Sequence, residues 1–569
     1  MVKLVWILVF DGDKYAKAAL AQSETATTTI TAKRGDIIDR NNVQLVTSTK
    51  VYNLILDPGV ILTKEEKYLE PTISLIEQHF GLAKDELRQK VHDNPNSHYV
   101  VLKKGLTFAE VEQFVEAKKA DRNVNGVWLE ESYRRNYTYD TLASSVLGFT
   151  QDGVGIYGLE SRYNEELTGH DGMEYTYVNS DNILETVRKE PEDGDTLRLT
   201  IDYNIQAIVE RHITPMLAET KAKTIGVVIM NPQTGEVLAM ADSGTFNPNN
   251  PRDLSYRYTQ EQIDAMSDAE TTDALSDLWR NFCITQSYEP GSTFKPFTVA
   301  MGIEENRIQP TDTFECIGHA TFFVGSPWEK TIWCYNRGGD GVMDVKGALT
   351  RSCNISLAQM SEKIGIDIFC KYQRKFGFGQ YTEIDLPNEM SCETLLYTTE
   401  NMTVLDLATN SFGQNFNTTM IQLGTAFCSI VNGGYLYRPY VVKDIYNENN
   451  ELIKSYDKVL VAQTISQGTC DYVKDCLRSV VTSGTGQAAA ISGYKIAGKT
   501  GTAQKYDKTE DVYLISFIGF APYDDPQVVC YVAIDEPATG DVSGYSSLLF
   551  HNIMEEVLSY MNIAPDDVG

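Results

Sequence analysis

A chain of 569 residues with 42% hydrophobic side chains is long enough for two or more domains, each with its own core, which excludes disorder as the default. Its 78 acidic residues outnumber 49 basic ones, and the net charge of −29 argues against a nucleic-acid surface and against attraction to anionic lipid. The ten cysteines are scattered, with neither a C-x-x-C pair nor metal-type Cys/His spacing, so neither a metal centre nor a cofactor is expected.

In chain order, the first apolar stretch is VKLVWILVF at residues 2–10, short of the roughly 20 residues that a bilayer span needs and without a signal-peptide cleavage pattern. From residue 25 to 200, strand-like runs such as VYNLILDPGVIL alternate with amphipathic helical runs such as GLTFAEVEQFVEAKKA. A strand-like run then feeds a helix in TLRLTIDYNIQAIVERHITPML, and TIGVVIMNPQTGEVLAMA reads as two strands joined by a Pro-Gln-Thr-Gly turn. Residues 241–285 are polar and read as an insertion or long loop. Helical patterns follow, including VKGALTRSCNISLAQMSEKIG and NMTVLDLATNSFG. Three strand-like runs, YKIAGKTGTAQ, VYLISFIGFAP and QVVCYVAIDE, precede a last helix at HNIMEEVLSYM. The order of hairpin, helices and meander predicts an α+β fold, an antiparallel sheet covered by helices.

Within EPGSTFKPF, residues 289–297, the Pro-Gly break is followed by apolar positions at helical spacing, which puts Ser292 in a first turn with Lys295 one turn on, close enough to touch. A Ser hydroxyl is a poor nucleophile unaided, and an amine can take its proton only if burial or nearby positive charge lowers its pKa. S-x-x-K also occurs at Ser455–Lys458 and Ser492–Lys495, so spacing alone selects nothing. Order does. Ser352-Cys353-Asn354 lies 60 residues beyond Ser292, and Lys499-Thr500-Gly501 a further 147, inside a strand pattern; S-x-x-K, S-x-N and K-T-G in this order are a known acyl-transfer set. Ser180-Asp181-Asn182 is a literal S-D-N that precedes the nucleophile, and it is discounted. Singly, Ser292 is an ordinary helix-start residue, Ser352 and Asn354 are cap residues and Lys499 is an edge-strand charge; jointly they are not. The seven histidines are dispersed and suggest no triad.

With these motifs the chain resembles class B penicillin-binding proteins, serine D,D-transpeptidases that cross-link peptidoglycan. Arg34-Gly35-Asp36-Ile37-Ile38-Asp39-Arg40-Asn41 is similar to the family's R-G-x-I-x-D-R-N opening, Gly158-Leu159-Glu160 with Tyr163 to its G-L-E-x-x-Y segment, and Gly413-Gln414 and Gly498–Gln504 to later blocks. The resemblance implies an anchor stub and linker over 1–24, an elongated N-terminal pedestal or dimerisation-type domain over 25–200, and a transpeptidase domain over 201–569. It implies that Ser292 attacks the carbonyl between two D-Ala residues of a stem peptide, with Lys295 as base, disfavoured as ammonium by burial and by Lys499. Ser352 would relay a proton to the leaving D-Ala, and Asn354 would hold substrate and Lys295. Lys499 would meet the terminal carboxylate with the Thr500 and Thr502 hydroxyls, and Gly501 would let an extended peptide lie on the strand edge. Backbone N–H groups of Ser292 and Thr502 would form the oxyanion hole. Expected partners are peptidoglycan stem peptides, β-lactam antibiotics and a membrane-embedded glycosyltransferase. The expected place is the outer face of the cell membrane, on a single-pass anchor of which residues 2–10 are the tail.

A Cys in the middle of the S-x-N motif is similar to sporulation-type members, and Cys334 lies 19 residues before Cys353; a disulfide between them would reshape the loop carrying Ser352 and Asn354 and act as a redox switch. Two alternatives stay open: a D,D-carboxypeptidase or β-lactamase-like hydrolase, and a non-enzymatic scaffold or sensor in a wall-building complex. The residues assign no base for fast deacylation, and the full motif set favours chemistry.

Overall fold

The computed structural model describes residues 27–178, 184–505, 512–540, 542 and 544–566; the stretch at residues 2–10 and the Ser180-Asp181-Asn182 triplet lie outside these. The three late apolar runs form the expected meander, with strands Ala497–Gln504, Tyr513–Ala521 and Val528–Asp535 antiparallel in sequence. The hairpin Thr224–Met230 and Val237–Asp242 adds to it through Val528–Asp535, giving one five-stranded sheet with Ala497–Gln504 at an edge.

Every residue of Val528–Asp535 is buried, as befits a strand covered on both faces. Its side chains alternate between two cores. Cys530, Val532 and Ile534 face helices Tyr203–Thr220 and Gly544–Tyr560, while Val529, Tyr531 and Ala533 face the larger core around Phe294, Phe297 and helix Met420–Val431. The active-site elements grow from that second core.

Residues 241–285 differ from the expected long loop. They hold helices Gln260–Ala265, Asp268–Trp279 and Phe282–Thr285, the first two started by capping boxes at Thr259 with Gln262 and Ser267 with Glu270. Only Ala274, Leu275 and Leu278 of the middle helix turn inward, too few apolar positions for the periodicity to stand out in sequence.

In the N-terminal part, Gln44–Leu56 pairs with Ile37–Ile38, Val100–Leu106 and Val127–Tyr137 in a seven-stranded sheet. Helices Glu65–Phe80, Lys84–Asp93 and Phe108–Ala120 pack a separate small core against it through Ile73, Ile76, Leu87 and Phe114. The sheet crosses the division drawn at residue 200: Thr196–Leu199 pairs with Val442–Tyr446, which pairs with Leu452–Ser455. The Arg34 and Glu160 blocks meet here. Arg34 Nε and Arg135 Nε donate to the two carboxylate oxygens of the fully buried Glu160 at 2.7 and 2.6 Å, a charge made tolerable by pairing on both sides. Asp39 ties the parts together, accepting from Asn41 N and Val43 N with one oxygen and from Tyr203 N, at the start of the Tyr203–Thr220 helix, with the other. Among the described residues no helix is long and apolar enough to cross a membrane.

Candidate active site

Gly291 has a positive φ of 57°, and the chain turns through a 3-10 segment, Gly291–Phe294, before the α-helix Lys295–Glu304 begins. Ser292 therefore sits in this tight turn and not in the first α-helical turn that apolar spacing suggests. The reason is packing. A Cβ on Gly291 would come within 2.5 Å of Thr502 O, so glycine lets the turn lie directly on the edge strand. A Cβ on Gly501 would lie 2.3 Å from Ser516 Oγ and 2.8 Å from Thr293 Cγ2. Gly501 thus also makes room for the Ser292 turn beneath the strand.

Lys295 and Lys499 are both fully buried, and they converge on Ser352. Lys295 Nζ donates to Ser352 O at 2.6 Å, Ser352 Oγ at 3.1 Å and Asn354 Oδ1 at 2.8 Å; Lys499 Nζ donates to Ser352 Oγ at 2.9 Å. With its donors engaged there, Lys295 makes no hydrogen bond to Ser292, where sequence spacing suggests contact. Burial brings the Lys295 ammonium down to about 8. Lys499 is held well below the lysine range, through burial first and the charge of Lys295 second. Thr500 Oγ1 shares a 2.7 Å hydrogen bond with Thr485 Oγ1.

The S-x-N segment is held by its own backbone. Helix Val345–Thr350 ends, Ser352 takes a positive φ of 57°, and Cys353 caps helix Asn354–Ile364 by accepting from Ser356 N at 3.4 Å. This break within VKGALTRSCNISLAQMSEKIG points Ser352 and Asn354 into the cleft. Asn354 Nδ2 donates to Trp333 O at 3.1 Å while its oxygen holds Lys295. The cleft, about 450 Å³, is lined by Ser292, Ser352, Asn354, Thr500 and Thr502, and also by Trp333, Tyr335, Arg337 and Gln414. A half-buried hydroxyl, a buried amine of lowered pKa and an open strand edge suit acyl transfer to an extended peptide.

Cys334 and Cys353 are free thiols with sulfurs 3.8 Å apart. Sequence reasoning missed their company: Cys316 and Asp340 join them, the four ligand atoms lying within 4.8 Å of one another. The nearest signal is IWCYNRGGDG, where a Cys and an Asp flank a Gly-Gly turn; the remaining ligands are distant in sequence.

The chain matches a family model described as the penicillin binding protein transpeptidase domain over residues 225–555, and one described as the penicillin-binding protein dimerisation domain over 29–199. It is 32% identical to Stage V sporulation protein D of Bacillus subtilis over 94% of this chain and 79% of that protein. Against Peptidoglycan D,D-transpeptidase FtsI of Escherichia coli it is 26% identical, covering 99% of this chain and 90% of the other. Its fold matches penicillin binding protein 3 of Mycobacterium tuberculosis, solved in complex with aztreonam, with a TM-score of 0.69 at 24% identity over 95% of this chain and 98% of that one.

Proposed function

This chain belongs to the penicillin-binding protein family, with its dimerisation and transpeptidase domains, and from that premise we propose that it is a serine D,D-transpeptidase acting on peptidoglycan stem peptides. The observation that carries the reading is the convergence of Lys295 and Lys499 on Ser352 beside Ser292, with Asn354 Oδ1 holding Lys295. Ser292 attacks the penultimate D-Ala carbonyl; its proton passes to the Lys295 amine, which at about 8 is neutral in part of the population at neutral pH. Ser352, hydrogen-bonded to both lysines, carries a proton toward the departing D-Ala nitrogen. Lys499 takes up a proton when the substrate's terminal carboxylate arrives, because the new anion offsets the burial that otherwise depresses it. The N–H groups of Ser292 and Thr502 face the developing oxyanion, each such donor being worth about 3 kcal/mol. An amine of a second stem peptide then resolves the acyl-enzyme.

β-Lactams acylate the same serine, as befits a relative of a protein crystallised with aztreonam. The N-terminal domain serves as pedestal and docks a membrane-embedded glycosyltransferase, with the whole held at the outer face of the cell membrane. The test is intact mass after benzylpenicillin, with peptide mapping. A single adduct on Ser292, absent in Ser292→Ala, supports the reading; no adduct on the folded protein sinks it, and rapid nitrocefin turnover replaces it with a hydrolase.

A further inference from the structure

We propose that Cys316, Cys334, Cys353 and Asp340 form a closed tetrahedral site for one zinc ion. The inference concerns a site apart from the reacting atoms and goes beyond the transpeptidase reading. Zinc–sulfur bonds of about 2.3 Å at tetrahedral angles place two sulfurs about 3.8 Å apart, and a sulfur and a carboxylate oxygen about 3.5 Å apart. Cys334 Sγ lies 3.8 Å from Cys353 Sγ and 3.6 Å from Asp340 Oδ2, and no ligand pair among the four exceeds 4.8 Å. Three sulfurs with one carboxylate select a borderline-soft ion, and four protein ligands leave no open position.

The surroundings are built for it. Strand Thr313–Cys316 pairs with Gly341–Asp344, setting Cys316 opposite Gly341 and beside Asp340. Gly339, with φ of 84°, has no room for a Cβ, which would fall 2.4 Å from Cys316 O; Gly318, with φ of 92°, would meet Arg337 O at 2.1 Å. These two glycines let the loops close on each other. The ligands also have outer-shell support of the kind that metal sites carry. Asp340 offers Oδ2 to the cluster while Oδ1 accepts from Asn336 Nδ2 at 3.0 Å with Arg351 Nη1 at 4.0 Å, and Cys353 Sγ accepts from Ser356 N and Ser356 Oγ. The three cysteines are buried. When zinc enters, each thiol still protonated gives its proton to solvent, and no electron moves.

The ion would join the Trp333–Cys334 wall of the cleft to the loop bearing Ser352 and Asn354, the same two segments bridged by the 3.1 Å hydrogen bond from Asn354 Nδ2 to Trp333 O. Its ligands are positioning residues.

The test uses the full chain, reduced and stripped with chelator, then titrated with Zn²⁺ or Co²⁺ and read by native mass and elemental analysis. One zinc per chain is expected, with cobalt giving tetrahedral visible bands and sulfur-to-cobalt charge transfer. Cys316→Ser should weaken zinc binding at least about 100-fold, beyond the 10–100-fold typical of an outer-shell loss, whereas Ser292→Ala should bind zinc as the unmodified chain does and take no penicillin. The unmodified chain needs no folding control. Octahedral cobalt without charge transfer, no retained zinc, or unchanged affinity in Cys316→Ser overturns the proposal. So does a Cys334–Cys353 disulfide, seen as a 2 Da mass loss, that forms as fast with equimolar zinc as without it. A missing penicillin adduct on zinc-loaded protein would instead count against the transpeptidase reading alone.

Discussion

Replacing Asn354 with Asp tests the proton logic of the site, because it puts a carboxylate where an amide oxygen now lies 2.8 Å from Lys295 Nζ. Position 354 opens the Asn354–Ile364 helix, where an acidic side chain is favourable, so the fold tolerates the change. With Lys295 at about 8, about one molecule in eleven carries the neutral amine at pH 7. An opposite charge at this distance raises a lysine by about 1–3 pH units, which cuts the neutral fraction by about 10- to 1000-fold. Acylation by a chromogenic or fluorescent penicillin, followed under stopped flow from pH 6 to 10, should slow by that factor at pH 7. It should recover about tenfold per pH unit as the medium becomes alkaline, with the acidic limb of the profile displaced upward. A slowing that is the same at every pH would show that Asn354 acts only by holding Trp333 O and the substrate, and would refute Lys295 as the proton acceptor.

Gly501→Ala should cost about 1–3 kcal/mol in denaturant unfolding and slow acylation, since its Cβ meets Ser516 Oγ and Thr293 Cγ2; adding Ser516→Ala removes the shorter clash and should restore part of both losses, and an additive double variant would count against this packing account. Glu210, accepting from Ala143 N and Gln206 Nε2, is raised by burial to about 7, so the folded state holds a proton that the unfolded chain releases from about pH 4.5 upward. Stability should therefore fall between about pH 4.5 and 7, by up to about 3 kcal/mol, and Glu210→Gln should flatten that slope in urea titrations at pH 5 and 8. Equal slopes in the two proteins would exclude the assignment.

Much of the sheet was readable because its strands are unbroken apolar runs between turn residues, and a strand buried on both faces advertises itself in that way. The identities of Ser292, Lys295, Ser352, Asn354 and Lys499 were readable because motif order survives in a linear string. Their mutual geometry was not. Spacing placed Lys295 against Ser292, whereas the 3-10 turn at Gly291 and the left-handed Ser352 redirect its hydrogen bonds to the S-x-N loop. Gly501 reads in sequence as an opening for ligand; that it also leaves room for the Ser516 and Thr293 side chains, and that Gly291 lies against Thr502 O, depends on neighbours the linear order does not reveal. Cys316, Cys334, Asp340 and Cys353 share no recognisable spacing because separate strand and loop segments bring them together.

The pairing of Thr196–Leu199 with Val442–Tyr446 has a consequence for how the molecule is made. A nascent polypeptide cannot close its N-terminal sheet until residue 446 has left the ribosome, so the leading domain must wait, edge uncovered, while residues 200–446 are synthesised. A fragment ended at residue 200 would keep that raw edge permanently and invite aggregation by strand addition.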